Sequence, residues 1–356
     1  MIRVLVVEDS VTVRKRLHEV LAADPEFEVV GEAGNGKQAI ELCQAFRPDV
    51  VTMDMMMPVM SGLAATEFIM AHCPTPILVV SSSTNRGELF KTYDALAAGA
   101  VDVLEKPDGD EPGGHWEARF IDSVKMVARI RVITHLRARL GLPAAFIPQP
   151  AQPEAQAGTS RRRCALIAVG ASTGGPAAIV EVLRGLPKEV RAPVLLVLHI
   201  NEPFGSAFAE WLDGQTPRRV AYAQDGQLLA AAVDRVVMAP PGRHLVLSEG
   251  RLRLTQAPER HSCRPSVDCL FESVASDCGR AAVACLLTGM GRDGAAGLLA
   301  VRRAGGATIA QDETTSVIYG MPREAVLLGA AERVLPLSAI GPTLAALTMG
   351  PREGQS

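Results

Sequence analysis

Short apolar runs alternate with amphipathic stretches along the first third of the chain. Residues 4–7, 28–31, 50–53, 77–80 and 101–104 are continuous enough in Val, Leu, Ile and Met to predict buried strands. Between them, residues 12–22, 37–45, 63–72 and 88–97 repeat apolar positions at helical spacing, and a last helix is predicted over 118–140. Strands alternating with helices in this way give a parallel sheet covered on both faces. From residue 141 to 163 the pattern stops. Pro143, Pro148, Pro150 and Pro153 stand among Ala and Gln and lead into Arg161-Arg162-Arg163, a composition that reads as a semi-extended, solvated linker. A second βα pattern then occupies residues 164–350. It has apolar runs at 164–169 and 194–198, a hairpin-like stretch over 235–255 turning at Pro240-Pro241-Gly242, a strand at 281–287, and helices at 295–304 and 322–328. The expectation is two doubly wound α/β domains, 1–140 and 164–350, joined by the Pro-rich segment.

Composition narrows the function classes. The 356 residues suffice for two cores, and 48% hydrophobic with 21% charged residues is ordinary for a globular protein. A formal net charge of −3 offers no electrostatic reason to expect nucleic acid or a membrane surface as partner. Seven scattered cysteines without a Cys-x-x-Cys pair argue for reduced thiols rather than a disulfide framework. The N-terminus turns acidic within eight residues, unlike a signal peptide, and no stretch approaches a membrane span, so a soluble, cytoplasmic protein is expected.

Candidate chemistry sits where the predicted strands end. In the first half, Glu8 and Asp9 follow the first strand, Asp54 the third, Ser81 the fourth and Lys106 the fifth. The C-terminal ends of parallel strands share one edge, where ligands bind. Clustered carboxylates there suit Mg²⁺, Asp54 is placed as a nucleophile toward a phosphoryl group, and Lys106 and the Ser81 hydroxyl are placed to contact its oxygens. In the second half, the apolar run ending at Val169 breaks into Gly170-Ala171-Ser172-Thr173-Gly174-Gly175, a strand-to-helix turn that lifts a hydroxyl among backbone N–H groups. It lacks the spacing of a dinucleotide fingerprint and the Lys-Ser/Thr ending of a P-loop. A serine nucleophile needs a base and an orienting acid. His199 ends an apolar run, with His244 and His261 as alternatives, and Asp293 follows another run inside Gly291-Arg292-Asp293-Gly294. A binding module without catalysis and a DNA-binding regulator are the competing readings. A DNA-binding output predicts a compact basic helix-turn-helix rather than a full α/β domain.

Two resemblances follow from these residues. Val7-Glu8-Asp9-Ser10, Met53-Asp54-Met55-Met56-Met57-Pro58 with Ser61-Gly62, and Glu105-Lys106-Pro107 resemble the receiver domain of two-component response regulators, a flavodoxin-like fold. That resemblance implies phosphorylation of Asp54 by a histidine kinase, with Mg²⁺ held by Glu8, Asp9, Asp54 and the Met56 carbonyl. The family often has an aromatic residue three before the lysine; here it is Val103. Val169-Gly170-Ala171-Ser172-Thr173-Gly174-Gly175-Pro176, Arg264-Pro265-Ser266-Val267-Asp268, Thr288-Gly289-Met290-Gly291-Arg292-Asp293-Gly294-Ala295 and Gly320-Met321-Pro322-Arg323-Glu324-Ala325 resemble the Rossmann-like catalytic domain of CheB-type protein-glutamate methylesterases. That resemblance implies Ser172 as nucleophile, His199 as base, Asp293 as orienter, the Met290 N–H in the oxyanion hole and Thr173 lining the site. It further implies hydrolysis, without a cofactor, of glutamate γ-methyl esters on methyl-accepting chemoreceptors. Deamidation of receptor glutamines, and inhibition by the receiver until it is phosphorylated, complete the set of expectations.

Overall fold

The computed structural model describes residues 1–82, 85–107, 114–130, 132 and 165–349, so the predicted linker and the end of the long helix predicted before it lie outside the described residues. The N-terminal domain runs β1 (Ile2–Val7), α1 (Val11–Ala22), β2 (Phe27–Ala33), α2 (Gly36–Phe46), β3 (Val50–Met53), α3 (Gly62–His72), β4 (Ile77–Ser81), α4 (Arg86–Ala97), β5 (Asp102–Glu105) and α5 (His115–Ala128). Its parallel sheet has the order β2-β1-β3-β4-β5, the flavodoxin-like arrangement expected. Successive side chains of a strand face opposite ways, and β1 shows the result: Leu5 and Val7 pack into one apolar cluster, Val4 and Val6 into another. Helix α5 stops at Ala128, well short of the predicted residue 140. Arg129 N–H and Ile130 N–H donate to carbonyls only three residues back, which tightens and closes the last turn.

The second domain continues with β6 (Leu166–Ala171), α6 (Gly175–Arg184), β7 (Val194–Leu198), α7 (Phe208–Gln215), β8 (Arg219–Tyr222), β9 (Arg235–Met238), β10 (His244–Ser248), β11 (Arg251–Thr255), α8 (Val267–Cys278), β12 (Ala282–Leu286), α9 (Ala295–Arg303), β13 (Ala307–Gln311), α10 (Met321–Leu327), β14 (Arg333–Leu335) and α11 (Leu337–Met349). Seven strands form the sheet β14-β13-β12-β6-β7-β9-β8. The hairpin expected over 235–255 is corrected. β9 pairs in parallel with β7 and β8, and the antiparallel hairpin is β10–β11, turning at Glu249-Gly250. Pro240-Pro241-Gly242 instead carries the chain off the sheet into that hairpin, as residues that cannot extend a ladder do.

The domains share a core. Leu89, Tyr93 and Leu96 of α4 belong to one buried apolar cluster with Phe204, Phe208, Trp211 and Leu212. Tyr93 meets Phe208 edge-on at 5.3 Å between centroids and Trp211 at 5.5 Å. Trp211 Nε1–H donates to Asp94 (2.8 Å), and the Tyr93 hydroxyl donates to the Phe204 carbonyl (2.5 Å).

Candidate active site

Three neighbouring strand ends, of β12, β6 and β7, build the candidate site. Neighbouring parallel strands β6 and β7 pair through Ala171 and Leu198, so the next residues, Ser172 and His199, leave the sheet side by side. The β12 end contributes the loop carrying Thr288, Gly289, Met290 and Asp293. This loop is stitched to the serine turn: Ser172 N–H donates to the Thr288 carbonyl (3.0 Å) and the Thr288 hydroxyl to the Thr173 carbonyl (3.0 Å). Gly289 allows that approach, because a Cβ there would lie 2.7 Å from Ser172 Cβ. Among the described residues no acceptor takes the Met290 N–H, which leaves it free for an oxyanion.

His199 is the histidine that meets Asp293. Its Nε2 lies 2.9 Å from Asp293 Oδ2. His244 is buried with both ring nitrogens in use: Nδ1 accepts from the Ser266 N–H and Nε2 contacts the Pro258 carbonyl. His261 pairs with Asp268 at 3.2 Å and lies against Arg292. Asp293, 2% exposed, also accepts from the Ser266 hydroxyl (2.8 Å), Val267 N–H (2.7 Å) and Asp268 N–H (3.1 Å). The carboxylate therefore caps the N-terminus of α8 from a loop 25 residues later in the chain, where the helix dipole favours its charge. Burial alone would raise its pKa; the His199 bond and these donors outweigh burial and lower it. Burial likewise presses the His199 pKa down, but the bond to Asp293, with a further contribution from Cys263, holds it up at about 9.

Cys263, Ser266 and Asp268 were not singled out as site residues from the sequence. Their role depends on the loop between β11 and α8 folding back over His199. A tight turn places them: Arg260 and Cys263 exchange two backbone hydrogen bonds around His261 and Ser262, both at positive φ, and Arg260 forks onto Glu272 at 2.5 and 2.7 Å.

The N-terminal domain covers this edge. A cleft of about 160 Å³ lies between the two domains, lined by Asp102 and Val103 from β5 and by Ser172, Thr173, His199 and Asn201. Val103, which stands where the receiver family often has an aromatic residue, lines this cleft.

At the C-terminal ends of β1 and β3 in the N-terminal domain, ligand atoms of Glu8, Asp9 and Asp54 lie within 4.8 Å of one another. Lys106 Nζ is 3.0 Å from Asp54 Oδ1 and 3.0 Å from Glu8 Oε2. Burial first, then the Asp54 charge, lifts the Glu8 pKa to about 7 against the pull of Lys106; burial also raises Asp54. Asp54 Oδ2 is buried without a hydrogen-bond partner. An orphaned oxygen among three crowded carboxylates fits a hard divalent cation. Met56 follows in the same loop, its N–H donating to Asp54 Oδ1 at 3.3 Å. The Ser81 hydroxyl donates to Glu88 Oε1 (2.9 Å) and accepts from Thr92 (3.2 Å), so donating to a phosphoryl group on Asp54 requires giving up Glu88.

Residues 167–344 match the family model "CheB methylesterase", and residues 4–111 match "Response regulator receiver domain". A protein-glutamate methylesterase/protein-glutamine glutaminase of Anaeromyxobacter dehalogenans is 44% identical over 98% of this chain and 97% of its own length. One of Geobacter metallireducens is 41% identical over 98% and 99%. The crystal structure of the Thermotoga maritima CheB methylesterase catalytic domain is 32% identical, covering 52% of this chain and 98% of that one, with a TM-score of 0.49.

Proposed function

This chain belongs to the CheB-type protein-glutamate methylesterases, enzymes with a phosphorylation-responsive receiver, and on that premise we propose that Ser172, His199 and Asp293 hydrolyse glutamate γ-methyl esters on methyl-accepting chemoreceptors. The observation that carries the assignment is the Asp293–His199 bond at the strand edge beside Ser172. Asp293 holds Nε2–H, so Nδ1 is the nitrogen that takes the Ser172 proton. Ser172 Oγ attacks the ester carbonyl, and the oxyanion forms against the Met290 N–H, with Thr173 lining the site. His199 returns the proton to the leaving methoxide, releasing methanol and leaving an acyl-enzyme. Water, deprotonated by the same imidazole, then frees the glutamate. A glutamine side chain presents the same carbonyl with ammonia as leaving group, so deamidation uses the same groups.

Regulation rests on the covered cleft. A histidine kinase of the chemotaxis type donates phosphate to Asp54. Glu8, Asp9, Asp54 and the Met56 carbonyl would hold Mg²⁺, which supplies charge neutralisation for the incoming phosphoryl group. Lys106 holds one of its oxygens, and Ser81 another after leaving Glu88. Added charge on the receiver face then favours the undocked state, and activation is bounded by the difference in phosphorylation free energy between docked and undocked forms. No helix of the described residues is long and apolar enough to cross a membrane, which accords with action from the cytoplasm on the receptors' cytoplasmic parts. The test is methanol release from methylated receptor. Ser172→Ala should lower it by at least about 10³-fold while Asp54 still accepts phosphate; release at the wild-type rate would overturn the assignment.

A further inference from the structure

The thiol of Cys263 lies 3.7 Å from His199 Nδ1, the nitrogen that Asp293 leaves free. Two ligands on a tetrahedral Zn²⁺, one sulfur at about 2.3 Å and one nitrogen at about 2.0–2.1 Å, stand about 3.6 Å apart. The pair already has that spacing. Two independent features add to it. A metal-bound imidazole characteristically donates its other N–H to a carboxylate, which fixes the ring and its tautomer, and Asp293 does so here at 2.9 Å. The sulfur is also held in place, on the turn whose two central residues are at positive φ and whose base is pinned by the Arg260–Glu272 fork. Cys263, His199 and Asp293 offer ligand atoms within 4.8 Å of one another, but four bonds already occupy Asp293, which leaves it as the backing group.

We propose that Cys263 Sγ and His199 Nδ1 form a reversible site for a borderline-soft divalent cation of the Zn²⁺ type, and that its occupation silences the hydrolase. The silencing rests on the assignment of His199 as base, because the metal takes the lone pair that must accept the Ser172 proton. On binding, the Cys263 S–H bond breaks and its proton leaves to solvent, as does the Nδ1 proton when the imidazole carries one. Metal–sulfur and metal–nitrogen bonds form, water fills the remaining positions, and no electron is transferred. Thiolate and imidazole favour Zn²⁺ over Mg²⁺, whereas the all-oxygen cluster around Asp54 suits Mg²⁺.

The test titrates chelator-treated full-length protein with Co²⁺ and follows the thiolate-to-cobalt charge-transfer band, which the carboxylates of the receiver cannot produce. The band should saturate at one Co²⁺ in the wild type, in Ser172→Ala and in Cys269→Ser, and be lost in Cys263→Ser and His199→Ala, with folding checked by circular dichroism. In parallel, Zn²⁺ should suppress methanol release and EDTA restore it, while Mg²⁺ does neither. Cys263→Ser, referred to its own metal-free rate, should need at least about tenfold more Zn²⁺. A wild type without a saturable band, or a band that survives Cys263→Ser or His199→Ala, overturns the site. Undiminished release at saturating Zn²⁺ overturns the silencing. If Ser172→Ala hydrolyses like the wild type, the esterase assignment falls and the cobalt spectrum still decides the metal site.

Discussion

Asp293 does two jobs with one carboxylate, and substitutions separate them. Asp293→Asn keeps the shape and an acceptor for some of the α8 donors but loses the charge opposite the imidazolium. Turnover should fall by about 10²–10⁴-fold with little change in KM. Asp293→Ala additionally strands the buried N–H groups of Val267 and Asp268, so its melting temperature should fall below that of the Asn variant. Protonation of His199 gives a second handle. Held near pKa 9, it is cationic at neutral pH and gains its basic form only in alkali. Methanol release should therefore rise with pH up to about 9, and a plateau already reached at pH 7 would contradict this. Stability has the opposite sense. The folded pKa exceeds the ordinary value of 6.5, so this pair contributes fully below pH 6.5 and its contribution is lost as pH climbs through about 9.

Among elements, the contact of β6 with α8 matters most for the site. Ser172 rides at the end of β6, and the α8 N-terminus holds Asp293. Gly170 is the close approach between them: a Cβ would sit 2.2 Å from Val267 Cγ1. Gly170→Ala should cost about 1–3 kcal/mol in unfolding experiments by forcing the strand and helix apart. It should also reduce kcat by disturbing the Ser172–His199–Asp293 alignment. A variant with native stability and turnover would show that the site does not depend on this spacing. Elements that follow a clear apolar run were legible: β3 matches its predicted bounds, α9 ends one residue early, and α10 is shifted by one residue toward the N-terminus. The misassigned hairpin has a physical cause. β9 and β10 are both short apolar runs, and nothing local states that one joins a parallel sheet while the other folds on its neighbour.

At the scale of the molecule, the question is what holds the receiver over Ser172. Arg86–Glu210 is an exposed pair at 3.3 Å and contributes at most about 1 kcal/mol. The Trp211–Asp94 bond is part-buried, with a charged acceptor, and is worth about 1.5–3 kcal/mol. Trp211→Phe keeps the aromatic packing and removes only that bond. It should raise basal methanol release about tenfold or more and shrink the further gain from phosphorylation, while Arg86→Ala changes neither. Equal phosphorylation ratios in Trp211→Phe and the wild type would mean that this contact does not restrain the enzyme.

Periodicity and strand-end chemistry along the chain were enough to settle two α/β domains and to nominate Asp54, Ser172, His199 and Asp293, because each polar residue follows an apolar run that must be buried. Three histidines remained open as base on spacing alone. What the tertiary structure adds is contact: the pairing of β6 with β7 and the folding back of the β11–α8 loop bring His199, and neither His244 nor His261, into hydrogen bonding with Asp293, with Cys263 beside it, across more than sixty residues of chain. It also decided the docking. Tyr93, Phe208 and Trp211 lie on α4 and α7 and are buried across the domain boundary, and an aromatic side chain does not encode whether the surface that buries it belongs to its own domain or to the next.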